Sequence, residues 1–129
     1  GSSSSNNDFQ DLLDWRKERG YTVYTASLTE IGSSTTSIKN YIQNAYNTFD
    51  PPPEYVALVG DVDGSYTVPT YYNGWGHNSY GNECEGDHPY SQLVGSDLIP
   101  EVFVGRMSIR TSSELSTVSN KIINYELLN

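Results

Sequence analysis

Two acidic residues in the last third of the chain have a spacing that suits cation binding. Asp97 and Glu101 are four residues apart, with Ile99 midway between them, in the run VGSDLIPE that begins at Val94. In an extended backbone alternate residues project the same way, so two carboxylates can flank a backbone carbonyl oxygen. Calcium binds such oxygens, and Pro100 lacks the amide donor that would compete for them. A polar loop that leads into a strand has the same spacing, so both interpretations stay open.

Charged residues also follow two predicted strands. Asp61 and Asp63 come after the apolar run at 55–60 (YVALVG), and Arg106 comes after the run at 102–105 (VFVG). Ligands of open parallel sheets bind beyond the carboxyl ends of the strands. Because Asp and Gly after a strand also commonly form a turn, Asp61 has both a binding and a turn-forming interpretation.

A thiol and two imidazoles lie between these strands. Cys84 has His77 seven residues before it and His88 four residues after it. A cysteine nucleophile needs a nearby base and an oxyanion hole, and a buried or loop thiol is the favoured interpretation of Cys84. With Glu83 and Asp87 these residues form a loose metal-like cluster, but zinc sites normally have tighter paired spacing. We predict no catalytic residue among them.

The rest of the chain alternates between helical and strand patterns. An amphipathic helix is predicted to begin at Asp8 and to end at Gly20, and β-branched and aromatic residues at 21–26 predict a strand. A Ser/Thr cluster at 33–37 predicts the start of a second helix. The apolar stripe of that helix consists of Ile38, Ile42, Ala45 and Phe49.

The apolar runs at 55–60 and 102–105 predict parallel strands that are covered on both faces. Residues 61–93 are predicted to form a long loop rich in Tyr and Gly. Thr111 and Glu114 predict a capping box at the start of the last helix. This order of elements predicts an α/β fold, with a mostly parallel sheet flanked by helices.

Size and charge limit the domain count and the classes of partner. The 129 residues suffice for one ordinary domain, and we predict a single α/β subdomain at 8–129 after a tag or flexible linker at 1–7 (GSSSSNN). Seven basic and sixteen acidic residues give a net charge of −9, which argues against nucleic-acid and membrane-surface roles. One cysteine allows no intrachain disulfide, and neither a signal peptide nor an apolar run of about 20 residues is visible.

Several runs resemble the gingipain-type cysteine peptidases, whose catalytic domain has a caspase-like arrangement of two α/β subdomains. These runs are DWRKERGYTV, LVGD, QLVGSDLIPEVFVGR and INYE, and the resemblance extends from about residue 8 to the end. It implies that this chain is the first, amino-terminal subdomain. It also implies a structural calcium ion. The implied ligands are the carboxylates of Asp61, Asp97 and Glu101 and the carbonyls of Val94 and Ile99.

In the family that this chain resembles, the catalytic Cys and a His in a Gly-His-Gly context belong to the following subdomain. Neither motif occurs here, so we expect the chain alone to be inactive. The resemblance implies the following peptidase subdomain as a partner, a protein or peptide substrate for the full enzyme, and a secreted or cell-surface location. An isolated first subdomain is also expected to form homodimers through exposed edges. One departure from the family is the longer segment between Asp61 and Val94, which contains YYNGWGHNSYGNECEG.

Two further functions are compatible with the same residues. One is a self-standing, calcium-stabilised α/β binding module without enzymatic activity, whose Tyr-rich loop forms the contact surface. The other is a phospho-receiver-like domain, suggested by acids at the ends of strands, but no Lys follows a late strand to pair with a phosphorylated Asp. A downstream Gly-His-Gly followed by an apolar strand that ends in Cys would favour the peptidase.

Overall fold

The computed structural model describes residues 2–72, 86–95 and 99–128. Its elements follow one another as helix, helix, helix, strand, short 3-10 helix, strand and helix. Their bounds are α1 Ser2–Glu18, α2 Leu28–Ile31, α3 Thr35–Thr48, β1 Tyr55–Val59, the 3-10 helix His88–Ser91, β2 Phe103–Met107 and α4 Ser112–Leu127.

The chain divides into two compact units. The first consists of residues 1–25, 59–67 and 107–129, and the second consists of residues 26–58 and 68–106. In the described part of the chain, no helix is both long and apolar enough to cross a membrane.

The first unit is built on the packing of α1 against α4. Leu12 is buried, as the predicted helical face requires, and the Trp15 indole N–H donates a hydrogen bond to Glu126, which also pairs with Arg16 at 2.6 Å. Ser116 on α4 donates a hydrogen bond to Asp8. Hydrogen bonds between side chains of α1 and α4 therefore reinforce their apolar contact.

The predicted end of α1 is confirmed and its predicted start is wrong. Gly20 has a φ of 95°, and the Tyr21 and Gly20 amides donate to the carbonyls of Arg16 and Lys17 at 3.1 and 3.0 Å. This is the Schellman pattern that ends a helix at a glycine. The helix begins at Ser2 and not at Asp8. Extending a helix that already exists adds a hydrogen bond per residue without a new nucleation cost. The assignment of residues 1–7 to a tag or linker stays a prediction.

The second unit has the apolar core. It contains residues from α3, from both strands or their flanks, and from the segments around the 3-10 helix. The buried members are Ile38, Ile42, Leu58, Val68, Tyr90, Leu93 and Val102. The predicted start of α3 within the Ser/Thr cluster is confirmed, because the Ser34 hydroxyl caps the Ser37 amide at 3.0 Å. The predicted stripe of α3 is confirmed at Ile38, Ile42 and Ala45, which are buried, whereas Phe49 lies just after the helix and is only partly buried.

One short helix was not predicted. Helix α2 begins after Ser27, whose amide donates to the Glu30 carboxylate at 2.9 Å in a capping box. The S-x-x-E signature is visible in the sequence, but it precedes only one turn of helix and no apolar stripe.

β1 and β2 form a parallel two-stranded sheet, as predicted. The Phe103 amide donates to the Glu54 carbonyl at 2.9 Å, and the Gly60 amide donates to the Met107 carbonyl at 2.9 Å, so both strands advance in the same direction. The predicted strand at 21–26 is wrong, because residues 21–27 have no regular secondary structure. Strand propensity depends on packing against a neighbouring strand, and within the described residues β1 and β2 pair only with each other.

The prediction that both strands are covered on both faces is also wrong. Tyr55 is 62% exposed and Phe103 is 70% exposed, and their rings stack with centroids 5.4 Å apart. Ala57 and Gly105, two residues further along each strand, are exposed as well. Alternate residues of a strand project from the same face, so the apolar runs reflect one buried face and one open face.

Candidate metal-binding residues

The five predicted calcium ligands do not all fall in one unit. Asp61 belongs to the first unit, whereas Val94, Ile99 and Glu101 belong to the second. Asp97 lies outside the described residues. Within residues 2–72, 86–95 and 99–128, no group of three or more His, Cys, Asp and Glu side chains could hold a metal ion.

Asp61 lies directly after β1, where the sequence predicted it. Its amide donates to the Ile109 carbonyl at 3.1 Å, so the parallel pairing of the strands continues through this residue. One carboxylate oxygen, Oδ1, accepts the Val62 amide at 2.9 Å. The other, Oδ2, accepts Nε of Arg110 at 2.6 Å. Asp61 therefore shapes its own turn, as one of its two interpretations required, and it also carries a cationic partner.

Arg110 bridges two carboxylates in the first unit. Besides the contact with Asp61, its Nη2 lies 2.6 Å from Oδ1 of Asp63. The hydrogen bond to Asp61 and the charge of Asp63 raise the pKa of Arg110 further above its ordinary value. The side chain of Arg110 is 57% exposed and that of Asp61 is 19% exposed. No sequence pattern indicates this contact, since the paired residues are 49 positions apart.

Glu101 folds back onto the segment that precedes it. Its carboxylate Oε2 accepts the Leu93 amide at 2.5 Å, and its own amide donates to the Ser91 carbonyl at 2.9 Å. The side chains of Val94 and Ile99 are exposed and have no ligand atom, so only their backbone carbonyls are candidate ligands. The Glu101 carboxylate is thus held beside the residue that precedes Val94.

A second arginine forms the most extensive polar network of the described residues of the second unit. Arg106 donates through Nε and Nη2 to the two oxygens of Asp87, at 2.8 and 2.7 Å. Its Nη1 donates to the Val68 carbonyl at 2.7 Å and its Nη2 to the Pro69 carbonyl at 3.3 Å. Thr70 donates to the same Asp87 carboxylate at 2.7 Å. We call these five residues the Arg106 clamp.

The clamp is largely shielded from water. The side chain of Arg106 is 10% exposed and that of Asp87 is 24% exposed. Burial raises the pKa of Asp87, but the hydrogen bonds from Arg106 and Thr70 and the charge of Arg106 outweigh this, so the pKa lies below its usual value. Burial also raises the pKa of Tyr90, whose hydroxyl donates to the Pro69 carbonyl at 2.6 Å.

Two predictions about these residues need correction. Arg106 lies inside β2 and not after it. Asp87, which the sequence placed in a loose metal-like cluster, is the partner of Arg106, and its carboxylate accepts three hydrogen bonds. No spacing rule links the two residues, because only the folded chain brings them together.

The other residues of that loose cluster are distributed as follows. His77, Glu83 and Cys84 lie outside the described residues. His88 is the first residue of the 3-10 helix, and its carbonyl accepts the Ser91 hydroxyl at 2.6 Å. The prediction that none of these residues is catalytic stays a prediction.

Comparison with known proteins relates this chain to peptidases. A family model described as Peptidase family C25 matches residues 2–129. Gingipain R2 of Porphyromonas gingivalis is 29% identical over 121 residues, which cover 92% of this chain and 15% of that protein. Lys-gingipain of the same species is 29% identical over 119 residues, which cover 88% of this chain and 6% of that protein.

Solved structures give the same relationship. This chain is similar to the crystal structure of the Arg specific cysteine proteinase gingipain R (RGPB), with a TM-score of 0.76 and 28% identity. The complex of Porphyromonas gingivalis RgpB pro- and mature domains matches with the same TM-score and identity. Each match covers 93% of this chain and 26% of the solved chain. The resemblance to gingipain-type peptidases and the α/β fold class are therefore confirmed, and the chain belongs to peptidase family C25.

Proposed function

We propose that this chain is the non-catalytic, calcium-binding half of the catalytic domain of a gingipain-like cysteine endopeptidase. The observation that carries the proposal is the family match over residues 2–129, supported by the similarity to gingipain R. In this proposal the catalytic His and Cys belong to a following subdomain. That subdomain is the partner of this chain, and the whole enzyme cleaves protein or peptide substrates outside the cell or at its surface.

The donor set suits calcium. The proposed ligands are the carboxylates of Asp61, Asp97 and Glu101 and the carbonyls of Val94 and Ile99. All of these are hard oxygen donors, of the mixed kind that calcium binds. The ion would supply positive charge to a chain whose net charge is −9. The hydrogen bonds that the Asp61 and Glu101 carboxylates accept from the amides of Val62 and Leu93 orient both groups and support this role.

Calcium should therefore raise the thermal stability of the chain. A ligand that binds only the folded state stabilises it by about 2.7 kcal/mol at a hundredfold excess over Kd. We expect a higher melting temperature in excess calcium than in chelator, and we expect Asp97→Ala to remove most of the difference. Asp11→Ala, at an exposed position of α1, removes the same charge and is the matched control. Equal melting temperatures with calcium and chelator would count against the calcium site.

The proposed absence of catalytic residues from this chain has its own test. The isolated chain should not turn over peptide substrates, because it has no Gly-His-Gly motif. Turnover that disappears in Cys84→Ala would contradict this half of the proposal. The expected homodimer of the isolated chain stays a prediction, and the exposed rings of Tyr55 and Phe103 support it by offering an apolar surface.

A further inference from the structure

Both carboxylate oxygens of Asp61 are already engaged in the first unit. Oδ1 accepts the Val62 amide at 2.9 Å, and Oδ2 accepts Arg110 Nε at 2.6 Å. The same guanidinium reaches Asp63 through Nη2 at 2.6 Å. A cation that binds Asp61 therefore meets a carboxylate that already has a positively charged partner.

Local structure fixes the position of Arg110. It lies directly before Thr111, the residue that caps α4, and its amide donates to the Glu114 carboxylate at 2.6 Å. Its aliphatic stem passes over Gly64, where an added Cβ would lie 3.5 Å from Cγ of Arg110. Gly64 also has a φ of 93°, a conformation that residues with a Cβ rarely adopt. The capping box of α4 and the turn after β1 thus both direct the guanidinium towards Asp61 and Asp63.

We infer that Arg110 sets the calcium affinity of Asp61 by acting as its counter-ion when calcium is absent. This inference rests on the proposed calcium function. Calcium must displace the guanidinium from Oδ2, and the lost contact subtracts from the binding free energy. Arg110 is 57% exposed and Asp63 is 66% exposed, so the displaced guanidinium enters water and keeps Asp63 as its partner.

An ordinary surface ion pair would behave differently. Exposed pairs contribute little to folding, and their removal changes nothing at a distant ligand. Here the arginine contacts the proposed ligand itself, at hydrogen-bond distance and through a charged donor. Removing it should weaken no protein contact that calcium needs. It should instead make calcium bind more tightly, a gain that damage to the fold does not produce.

Calcium titration by calorimetry tests this in the 129-residue chain. Arg110→Gln should lower the Kd for calcium roughly threefold to tenfold, the effect of removing one adjacent charge. Arg110→Lys keeps the positive charge but lacks the planar guanidinium. Its Kd for calcium should therefore fall between those of the wild type and Arg110→Gln. Lys121→Gln removes one positive charge from an exposed position of α4 and should change Kd by less than about twofold. Added sodium chloride should narrow the difference between wild type and Arg110→Gln.

The outcomes are distinguishable. Calcium binding to the wild type with an unchanged or higher Kd in Arg110→Gln overturns this inference and leaves the calcium proposal standing. An equal gain in Arg110→Gln and Lys121→Gln also overturns it, because net charge then explains the effect. Binding by neither wild type nor Arg110→Gln overturns the calcium proposal together with this inference. Binding by Arg110→Gln alone supports this inference and counts against the calcium proposal for the wild-type chain.

Discussion

Two arginines four residues apart use the same chemistry in opposite surroundings. Arg106 is largely buried and donates to Asp87 and to two backbone carbonyls, whereas Arg110 is mostly exposed and donates to the carboxylates of Asp61 and Asp63. The first arginine joins backbone segments, and the second joins side chains that water also reaches. An ion pair of the first kind fixes the local fold, whereas one of the second kind stays available for exchange with another cation.

The difference follows from desolvation. Removing a charge from water costs several kcal/mol, and a buried pair tolerates that cost only when hydrogen bonds satisfy both ions. The clamp meets this condition, because within it Arg106 donates four hydrogen bonds and Asp87 receives a further one from Thr70. If one partner is removed, the other becomes a buried charge without compensation. Around Arg110 water replaces any lost contact.

The largest expected effect comes from breaking the clamp. Arg106→Met should lower the free energy of unfolding by roughly 2–4 kcal/mol, because Asp87 loses its charged partner and the Val68 and Pro69 carbonyls each lose a donor. Urea unfolding followed by circular dichroism measures this. Lys121→Met, at an exposed position of α4, is the control and should have little effect. A loss in Arg106→Met no greater than in the control would show that the clamp does not stabilise the second unit.

A smaller effect should appear in the pH dependence of stability. The pKa of Asp87 is lowered in the folded state from its ordinary 3.8, so at acid pH the unfolded chain binds more protons than the folded one. The stabilisation is therefore present above the unfolded pKa and is lost as pH falls through the folded pKa. The stability difference between wild type and Asp87→Asn should be full at pH 6 and should shrink below about pH 4. A difference that is constant from pH 2 to pH 6 would contradict this.

The features that sequence predicted correctly are those with local causes. Ser34 before α3, Thr111 with Glu114 before α4, and Gly20 after α1 each act on amides or carbonyls within a few residues. The position of Asp61 after a parallel strand was predictable for the same reason. A strand at 21–26 was predicted wrongly because a strand needs a neighbour, and composition does not supply one.

The contacts that sequence did not predict join distant parts of the chain. Asp87 and Arg106 are 19 residues apart, and Asp61 and Arg110 are 49 apart. The chain has enough charged residues for many different acidic and basic pairs to be possible. Only tertiary packing decides which of these ion pairs form. The spacing argument for Asp97 concerns a residue outside the described part of the chain and stays a prediction.

The smallest expected effect concerns Arg110 in the absence of calcium. Arg110→Gln should leave the urea midpoint close to that of the wild type, because water solvates the side chains that it releases. Any residual difference should disappear as sodium chloride rises from 20 to about 500 mM, since salt screens exposed charges within a few ångströms. In the same salt series Arg106→Met should keep most of its loss of stability, because ions do not reach the buried clamp. A large loss of stability in Arg110→Gln that salt does not reduce would show that Arg110, like Arg106, stabilises the fold. That result would remove the basis for exchange with calcium.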